Sequence, residues 1–492
     1  MSVLRNNIIA NYLGTAWISL FSLLLIPFYF RVLGPEAYGL VGFFIAFRAS
    51  LTILDFGLST YSTREIARRS SNLTSRAKSV GSYIRTIELV YWFFGILLFL
   101  IFAFVSFFFP AGWFKLNKLM PNVVQASQLI FAITLGVSWP ISFYRGILRG
   151  LERQVEYNYV AAFAATFRGV ASFLVLLFIS PTVIAFFIVQ LVSSLVEMLL
   201  MRKMVWRSIG KKGIYKISYA KFRLKELISA WRGIAGITLV SILGILITQA
   251  DKLIISRQLA LEQLGYYTIA VTLASSTSRL VDSIIVAIFP KFASTHIQGK
   301  HETMEKIYEN SSKLVILIYL PVLFCSMFFS EQLLFLWTNS ESVSIIAGEI
   351  LALLIAAQLF AKLCNISSNF QLAAGKIPLL IWINVIGFIT YLPILLFTIE
   401  NFGAKGAAIS WLLVNFAICI FLGLQIKAKA VHKIMSYQWL FNISKVLIPT
   451  VVLFVTIKSA NLPPFINLMI FLLIFIIYYS LLAKKIWSVF ST

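Results

Sequence analysis

The sequence predicts an all-α, polytopic membrane protein, and three observations carry that reading. The 492-residue chain is 60% hydrophobic, with 12% charged residues and a mean hydropathy of +0.90. A soluble domain would hold about twice that charged share. Apolar runs of about 20 residues recur from end to end, enough for helices that cross a hydrocarbon core of about 30 Å. Beneath the hydrophobicity lies a repeat. RVLGPEAYG (Arg31 to Gly39) closes the first apolar run, and RQLALEQLG (Arg257 to Gly265) closes a later one with Arg, Leu, Glu and Gly in register. Gly150 before LERQ and Gly375 before KIPLL fit almost the same offset. Two related halves in a membrane chain point first to transport, because halves that rock against each other give alternating access.

The spans are 8–32, 37–59, 82–109, 122–147, 158–180, 182–201, 233–256, 263–289, 314–337, 345–372, 377–399, 403–426, 440–458 and 464–483. By length they make about fourteen helices. No small-residue cleavage site ends the first, so it is expected to be retained rather than removed as a signal peptide. Gly14 and Pro27 make that first helix bendable, with Pro27 as a candidate hinge, since proline removes a backbone hydrogen bond. In the seventh span Gly236, Gly244 and Thr248 form a small-residue stripe suited to close helix packing.

Charge sets the orientation. With the N-terminus inside, the inside loops hold Arg64, Arg68, Arg69, Arg76 and Lys78, then Arg145, Arg149 and Arg153, then a dense group from Arg202 to Arg232. They continue with Lys291, Lys300, Lys306 and Lys313, then Lys427, Lys429 and Lys433, then Lys484 and Lys485. The outside loops hold little beyond Lys115, Lys118, Lys405 and Lys458. Inside exceeds outside by roughly five to one, as the positive-inside rule expects. Both termini are therefore expected in the cytoplasm. The net charge of +24 is mostly topology. The basic residues are spread over short loops at one membrane face, where anionic lipid headgroups attract them, so a nucleic-acid partner is a poor reading.

The repeat gives the organisation: residues 1–201 as one six-helix bundle, 202–232 as a basic cytoplasmic linker, 233–432 as a second six-helix bundle, and 433–492 as two further helices. The linker mixes lysines and arginines with Trp206, Tyr215, Tyr219, Phe222 and Trp231, which suits a helix lying in the membrane interface and equally a plain basic tether. Cys325, Cys364 and Cys419 sit inside apolar runs without disulfide or metal spacing and read as small buried hydrophobes. His296, His301 and His432 have no neighbouring ligands to make a metal site.

Five segments carry a resemblance. GPEAYG after the first span, LDFGLSTYSTREIAR (Leu54 to Arg68), TQADKLIIS (Thr248 to Ser256), LGYYTIA (Leu264 to Ala270) and NFGAKGAAIS (Asn401 to Ser410) resemble the polysaccharide transporter branch of the multidrug/oligosaccharidyl-lipid/polysaccharide exporter superfamily. Within that branch the chain is most similar to Wzx-type O-antigen flippases. Each motif alone is weak; their order and spacing along nearly the whole chain carry the match. The resemblance implies two bundles in a V around a central cavity. It implies an oligosaccharide linked through pyrophosphate to undecaprenyl lipid as substrate, moved from the cytoplasmic to the outer leaflet of a bacterial inner membrane. A polysaccharide polymerase and a chain-length regulator are the partners it suggests, and the two-bundle design lets one chain work as a monomer.

Moving a pyrophosphate through hydrocarbon requires cations and hydrogen-bond donors along the path. Arg48, Arg168, Arg279 and Lys362 lie within spans and are the candidate substrate-binding cations. Arginine suits phosphate because its planar fork binds two oxygens. Arg48, Thr52 and Asp55 share one helix face at i, i+4, i+7, and Ser275, Arg279 and Asp282 repeat that spacing in the equivalent span. Such a stripe is either a cavity wall or an internal ion pair. Arg168 has no carboxylate within a helical turn, which favours substrate contact. Lys362 lies beside Asn365, Ser367, Ser368 and Asn369, donors suited to sugar hydroxyls, although near enough to the cytoplasmic end to snorkel. Thr52, Ser275, Asn365 and Asn369 complete the polar lining. Asp251, beside Lys252, and Asp55, Asp282 and Glu197 are candidates to bind a proton or Na⁺ for coupling; Glu88 is a further acidic group near a span end.

Rival functions are weaker. A drug exporter of the same superfamily would need an acidic cavity for cationic drugs, and here the mid-span excess is cationic. A lipid II flippase would share both the fold and the cations. A membrane glycan polymerase needs a catalytic group near the surface, yet the longest outside loop, Phe109 to Pro121, has no Asp, Glu or His. No GxxxxGK[ST] phosphate loop is present for an ATP-driven pump. The expectation is a non-enzymatic flippase without a bound cofactor.

Overall fold

The computed structural model describes residues 2–55, 57–70, 73–108, 112–210 and 238–425, with Ile466, Met469, Ile470 and Leu473 beyond them. Eleven helices are described: α1 (Ser2–Leu51), α2 (Leu58–Ser70), α3 (Leu73–Phe108), α4 (Pro121–Gly150), α5 (Gln154–Phe178), α6 (Val183–Gly210), α7 (Thr238–Gln258), α8 (Leu261–Ile297), α9 (His301–Thr338), α10 (Glu341–Ala373) and α11 (Ile377–Gln425). Among the described residues there is no strand, only an isolated parallel bridge between Lys115 and Ala260. The protein is an all-α polytopic membrane protein. Eight described helical stretches are long and apolar enough to cross a membrane.

Where their residues are described, the first twelve expected spans fall on helices, except the second, which is broken after Leu51. α1 carries two of them, joined at an elbow where Gly34 takes φ +80°, a conformation that only glycine adopts freely, and Pro35 restarts the helix. α11 also carries two, with Gly403 at φ +59° as its break. The backbone stays helical through Pro27; the change of direction falls at Gly34 instead. The thirteenth and fourteenth spans, the linker from residue 211 onward, and Gly236 lie outside the described residues. The sixth helix runs to Gly210, so the first nine residues assigned to the linker continue α6.

The second span departs from expectation. Its helix stops at Leu51, passes through a 3-10 turn (Thr52–Asp55) and Gly57 at φ +75°, and restarts as α2. Asp55 drives the restart: its carboxylate accepts the Ser59 backbone N–H at 3.2 Å and the Ser59 hydroxyl at 2.8 Å, an N-terminal cap. α2 then lies against α4 because Gly146 and Gly150, one turn apart, let the backbones touch. A Cβ at Gly146 would sit 2.6 Å from the Ser59 carbonyl, and one at Gly150 would sit 2.5 Å from the Thr63 carbonyl. Thr63 completes the seat by donating to the Gly146 carbonyl at 3.0 Å. The equivalent element in the second half, α8, has no such break and runs 37 residues.

The chain forms two compact units, Met1–Gly265 and Tyr266–Thr492. In the first, α3 packs on α4, α4 on α6, α5 on α6 and on α1, and α7 on α1. Its core is aromatic and aliphatic, with Tyr83, Tyr91, Phe143, Tyr144, Ile147 and Met201 almost fully buried. In the second, α10 lies between α9 and α11. Its core runs through Val281, Phe292, Val315, Tyr319 and Ile366. Apolar side chains such as Phe93, Ile96, Leu100 and Phe104 of α3 stay exposed, as a lipid-facing surface requires.

Candidate functional site

Within the first unit, α4, α5 and α6 bring three ionised groups together. Glu197 of α6 accepts Arg145 Nη2 of α4 at 2.6 Å on one carboxylate oxygen and Arg168 Nη2 of α5 at 2.9 Å on the other. Arg48, near the end of α1, is half-buried and lies within electrostatic reach of all three. It has no ion-pair partner of its own among the described residues. The cluster therefore holds three cations and one anion, a net charge of two positive.

Exposure decides which groups are free to bind. The Glu197 side chain is 5% exposed, whereas Arg145 and Arg168 are 39% and 30% exposed. The carboxylate is thus spent inside the protein, and each guanidinium keeps N–H groups facing outward. The Nε atoms of both arginines are buried without a partner. Tyr157 lies under Arg145 and Arg149, with ring centroid distances of 6.0 and 5.3 Å. The ring orients Arg145 and Arg149, and Glu197 holds one Nη of Arg145 and one of Arg168.

Arg168 was expected to lack a carboxylate partner, since none lies within a turn of it. Its partner is Glu197, 29 residues on and on the next helix. That pairing also occupies Glu197, expected as a coupling carboxylate. Arg145 was assigned to an inside loop and is the residue that sequence reasoning missed. The signal was present: the apolar pattern continues past it through Ile147 and Leu148, both fully buried.

The polar stripe expected from Arg48, Thr52 and Asp55 is not a stripe, because the helix ends between the first and second members. Thr52 is exposed and donates to the Ala49 carbonyl at 2.6 Å. Asp55 serves as the cap of α2 and also accepts the Tyr91 hydroxyl. Its carboxylate is occupied by structural partners.

In the second unit α8 and α10 make a polar ladder. Ser278 donates to Gln358 Oε1 at 2.9 Å. One turn along each helix, Lys362 pairs with Asp282. Lys362 is buried there rather than extended to the interface. Ser275 lies half-buried one turn before Arg279; the Arg279 side chain is outside the described residues. Asn365 is exposed, and Asn369 donates to its carbonyl at 2.9 Å. Asp251 is buried and pairs with the adjacent Lys252 at 3.1 Å.

Glu88 is a structural centre. It is fully buried and accepts Tyr144 Oη at 2.6 Å, Arg202 Nε at 2.8 Å and Arg85 Nη1 at 3.1 Å, tying α3, α4 and α6. Among the described residues no three His, Cys, Asp or Glu gather as a metal site.

These features define a class: a multi-pass helical membrane protein with a cationic cluster built among its N-terminal helices. The family model described as polysaccharide biosynthesis protein matches residues 4–296, and a second, MatE, matches residues 237–397. The chain belongs to the polysaccharide biosynthesis protein family, within the multidrug/oligosaccharidyl-lipid/polysaccharide exporter superfamily. A Shigella flexneri protein provisionally named an O-antigen transporter is 25% identical over 412 residues, 84% of this chain and 94% of that one. An uncharacterized membrane protein of the Klebsiella pneumoniae cps region is 23% identical over 445 residues, 87% of this chain and 82% of its own. Among solved structures the fold is similar to the lipid II flippase MurJ in an inward closed conformation, with TM-score 0.71 at 13% identity over 97% of this chain and 99% of that one. It is also similar to an inward-facing multidrug resistance MATE family transporter, with TM-score 0.69 at 15% identity over 85% of this chain and 96% of that one.

Proposed function

We propose that this protein is a flippase. It moves an undecaprenyl-pyrophosphate-linked oligosaccharide from the cytoplasmic to the outer leaflet of a bacterial inner membrane by alternating access, and catalyses no reaction. The observation that carries the reading is the cluster of Arg48, Arg145 and Arg168 around Glu197. Its two surplus positive charges suit the two negative charges of a pyrophosphate diester. Arginine forks bind such oxygens in pairs. An anion crossing hydrocarbon needs this compensation, while the lipid tail needs none. The same balance disfavours an exporter of cationic drugs.

The relatives support an exported glycan as cargo, and the likeness to MurJ keeps lipid II as a second candidate, since it presents the same pyrophosphate. The repeat-based division at residues 202–232 belongs to this proposal, with one bundle on either side. Of the coupling candidates, Asp282 is half-exposed, and it would carry a proton or Na⁺ only by releasing Lys362.

The test is the leaflet distribution of undecaprenyl-linked oligosaccharide in cells with and without the protein, and with Arg168→Ala or Arg145→Ala. Build-up in the cytoplasmic leaflet on deletion, reproduced by either substitution at normal protein level, is the expected result. An unchanged distribution on deletion overturns the reading and moves the search to small-molecule efflux. Build-up on deletion without build-up in the variants keeps the function and removes this cluster as the headgroup site.

A further inference from the structure

The loop at residues 112–120 is longer than a simple turn, and the charge pattern puts it on the outer face. Within the first unit it joins two repeat-related elbows: the Gly34–Pro35 elbow of α1, and the turn at Leu259–Ala260 between α7 and α8.

Its attachments differ in kind. At the α1 elbow, the carboxylate of Glu36 accepts the backbone N–H groups of Asn117 and Lys118, each at 2.7 Å, and of Leu119 at 3.0 Å. Glu36 is 6% exposed, so water competes poorly for these charge-assisted bonds. At the α7–α8 turn, exposed Lys115 donates through Nζ to the Gln258 carbonyl at 2.5 Å, and exposed Arg257 donates through Nη1 to the Gly112 carbonyl at 2.6 Å. The Leu261 N–H donates to the Lys115 carbonyl at 3.2 Å, and Trp113 Nε1 to Ser256 Oγ at 2.9 Å. The Lys115 and Arg257 bonds are exposed and exchange readily with water, whereas Leu261 and Ser256 are themselves buried.

Beneath the loop the two elbows touch reciprocally. A Cβ on Gly39 would collide with the Leu261 carbonyl, and a Cβ on Gly265 would collide with the Pro35 carbonyl. These four residues are pairs at the repeat offset. Glycine at both positions lets the two backbones close tightly.

We propose that residues 112–120 are a strap that holds the outer face shut. It is anchored to the α1 elbow through Glu36 and fastened releasably to the α7–α8 turn. The proposal rests on the transport reading, since release of cargo outward requires the elbows to part. Loading inward leaves the strap fastened, and outward opening undoes its exposed contacts while Glu36 keeps its grip.

The test joins Lys115→Cys to Ala260→Cys, the pair that forms the isolated bridge. Bridged strands run about 4.8 Å apart, and disulfides accept Cα separations of about 4.4–6.8 Å. Added diamide takes two electrons and two protons from the thiols. Transport is expected to fall at least tenfold on oxidation and to recover with dithiothreitol, while each single variant keeps its rate under both conditions. An oxidised double variant that transports at its reduced rate overturns the strap, and so does failure of the two thiols to join. The reduced variant, compared with cells lacking the protein, tests the transport reading separately. A second measurement needs no transport: Glu36→Ala should free the loop backbone, raising cleavage at exposed Lys115 and Lys118 several-fold by trypsin added from outside. Unchanged cleavage also overturns the anchoring.

Discussion

At the scale of single residues, charge alone did not distinguish binding groups from structural ones; partners did. Asp55, Asp251 and Asp282 all looked like coupling carboxylates, and the structure gives each a protein partner in Ser59 and Tyr91, Lys252, and Lys362. Asp55 is the clearest case, because capping and coupling predict opposite outcomes. Asparagine caps a helix about as well as aspartate, whereas alanine loses about 1 kcal/mol. Asp55→Asn should therefore transport near the wild-type rate, and Asp55→Ala should show a lowered unfolding midpoint in detergent. Loss of transport in Asp55→Asn with normal stability would restore Asp55 as a coupling group. The pairing of Arg168 with Glu197 was illegible in sequence, because it depends on how two helices are rotated about their axes. Arg145 is harder to place from sequence, since an arginine near a span end reads first as a loop residue.

At the scale of elements, hydropathy marked where long helices form, because a lipid solvent leaves few alternatives to a long apolar helix, and eight described stretches are long and apolar enough to cross a membrane. It overlooked α2, whose 13 residues are too polar to register as a span. The cues were local instead: Gly57 to break the helix and Asp55 to cap the next one. The GILRG run (Gly146 to Gly150) that receives α2 is a small-residue pair at the spacing that lets helices touch. Gly146→Val should cost about 1–3 kcal/mol by forcing α2 off α4, read as a lower unfolding midpoint and as faster trypsin cleavage at Arg64 and Arg68. An unchanged midpoint would mean that α2 is held by something other than this seat. The 112–120 loop was the least legible element, because most of its attachments end on a backbone group, which has no sequence signature.

At the scale of the whole molecule, the repeat and the charge bias predict an orientation. Cysteines placed at Arg64 and Lys306 should label only from the cytoplasmic side, and one at Lys118 only from the outside. Sidedness can be read with a membrane-impermeant maleimide in right-side-out and inverted vesicles. Labelling of Arg64→Cys from outside would reverse the orientation and put the strap at the wrong face. Among the described residues the two halves also differ in their charged groups. The first breaks its second span and gathers arginines around Glu197; the second keeps α8 unbroken and neutralises Lys362 with Asp282. Among the described side chains, the surplus of arginine therefore lies in the first half, while the Arg279 side chain of the second is outside the described residues.

The reciprocity at the elbows has a symmetry of its own. Gly39 meets Leu261 as Gly265 meets Pro35, so residue i touches j while the counterpart of j touches the counterpart of i. That is the signature of an isologous, two-fold interface. A half-length chain with this elbow would meet a second copy of itself through the same atoms. The contact within this one polypeptide therefore has the form of a homodimer seam.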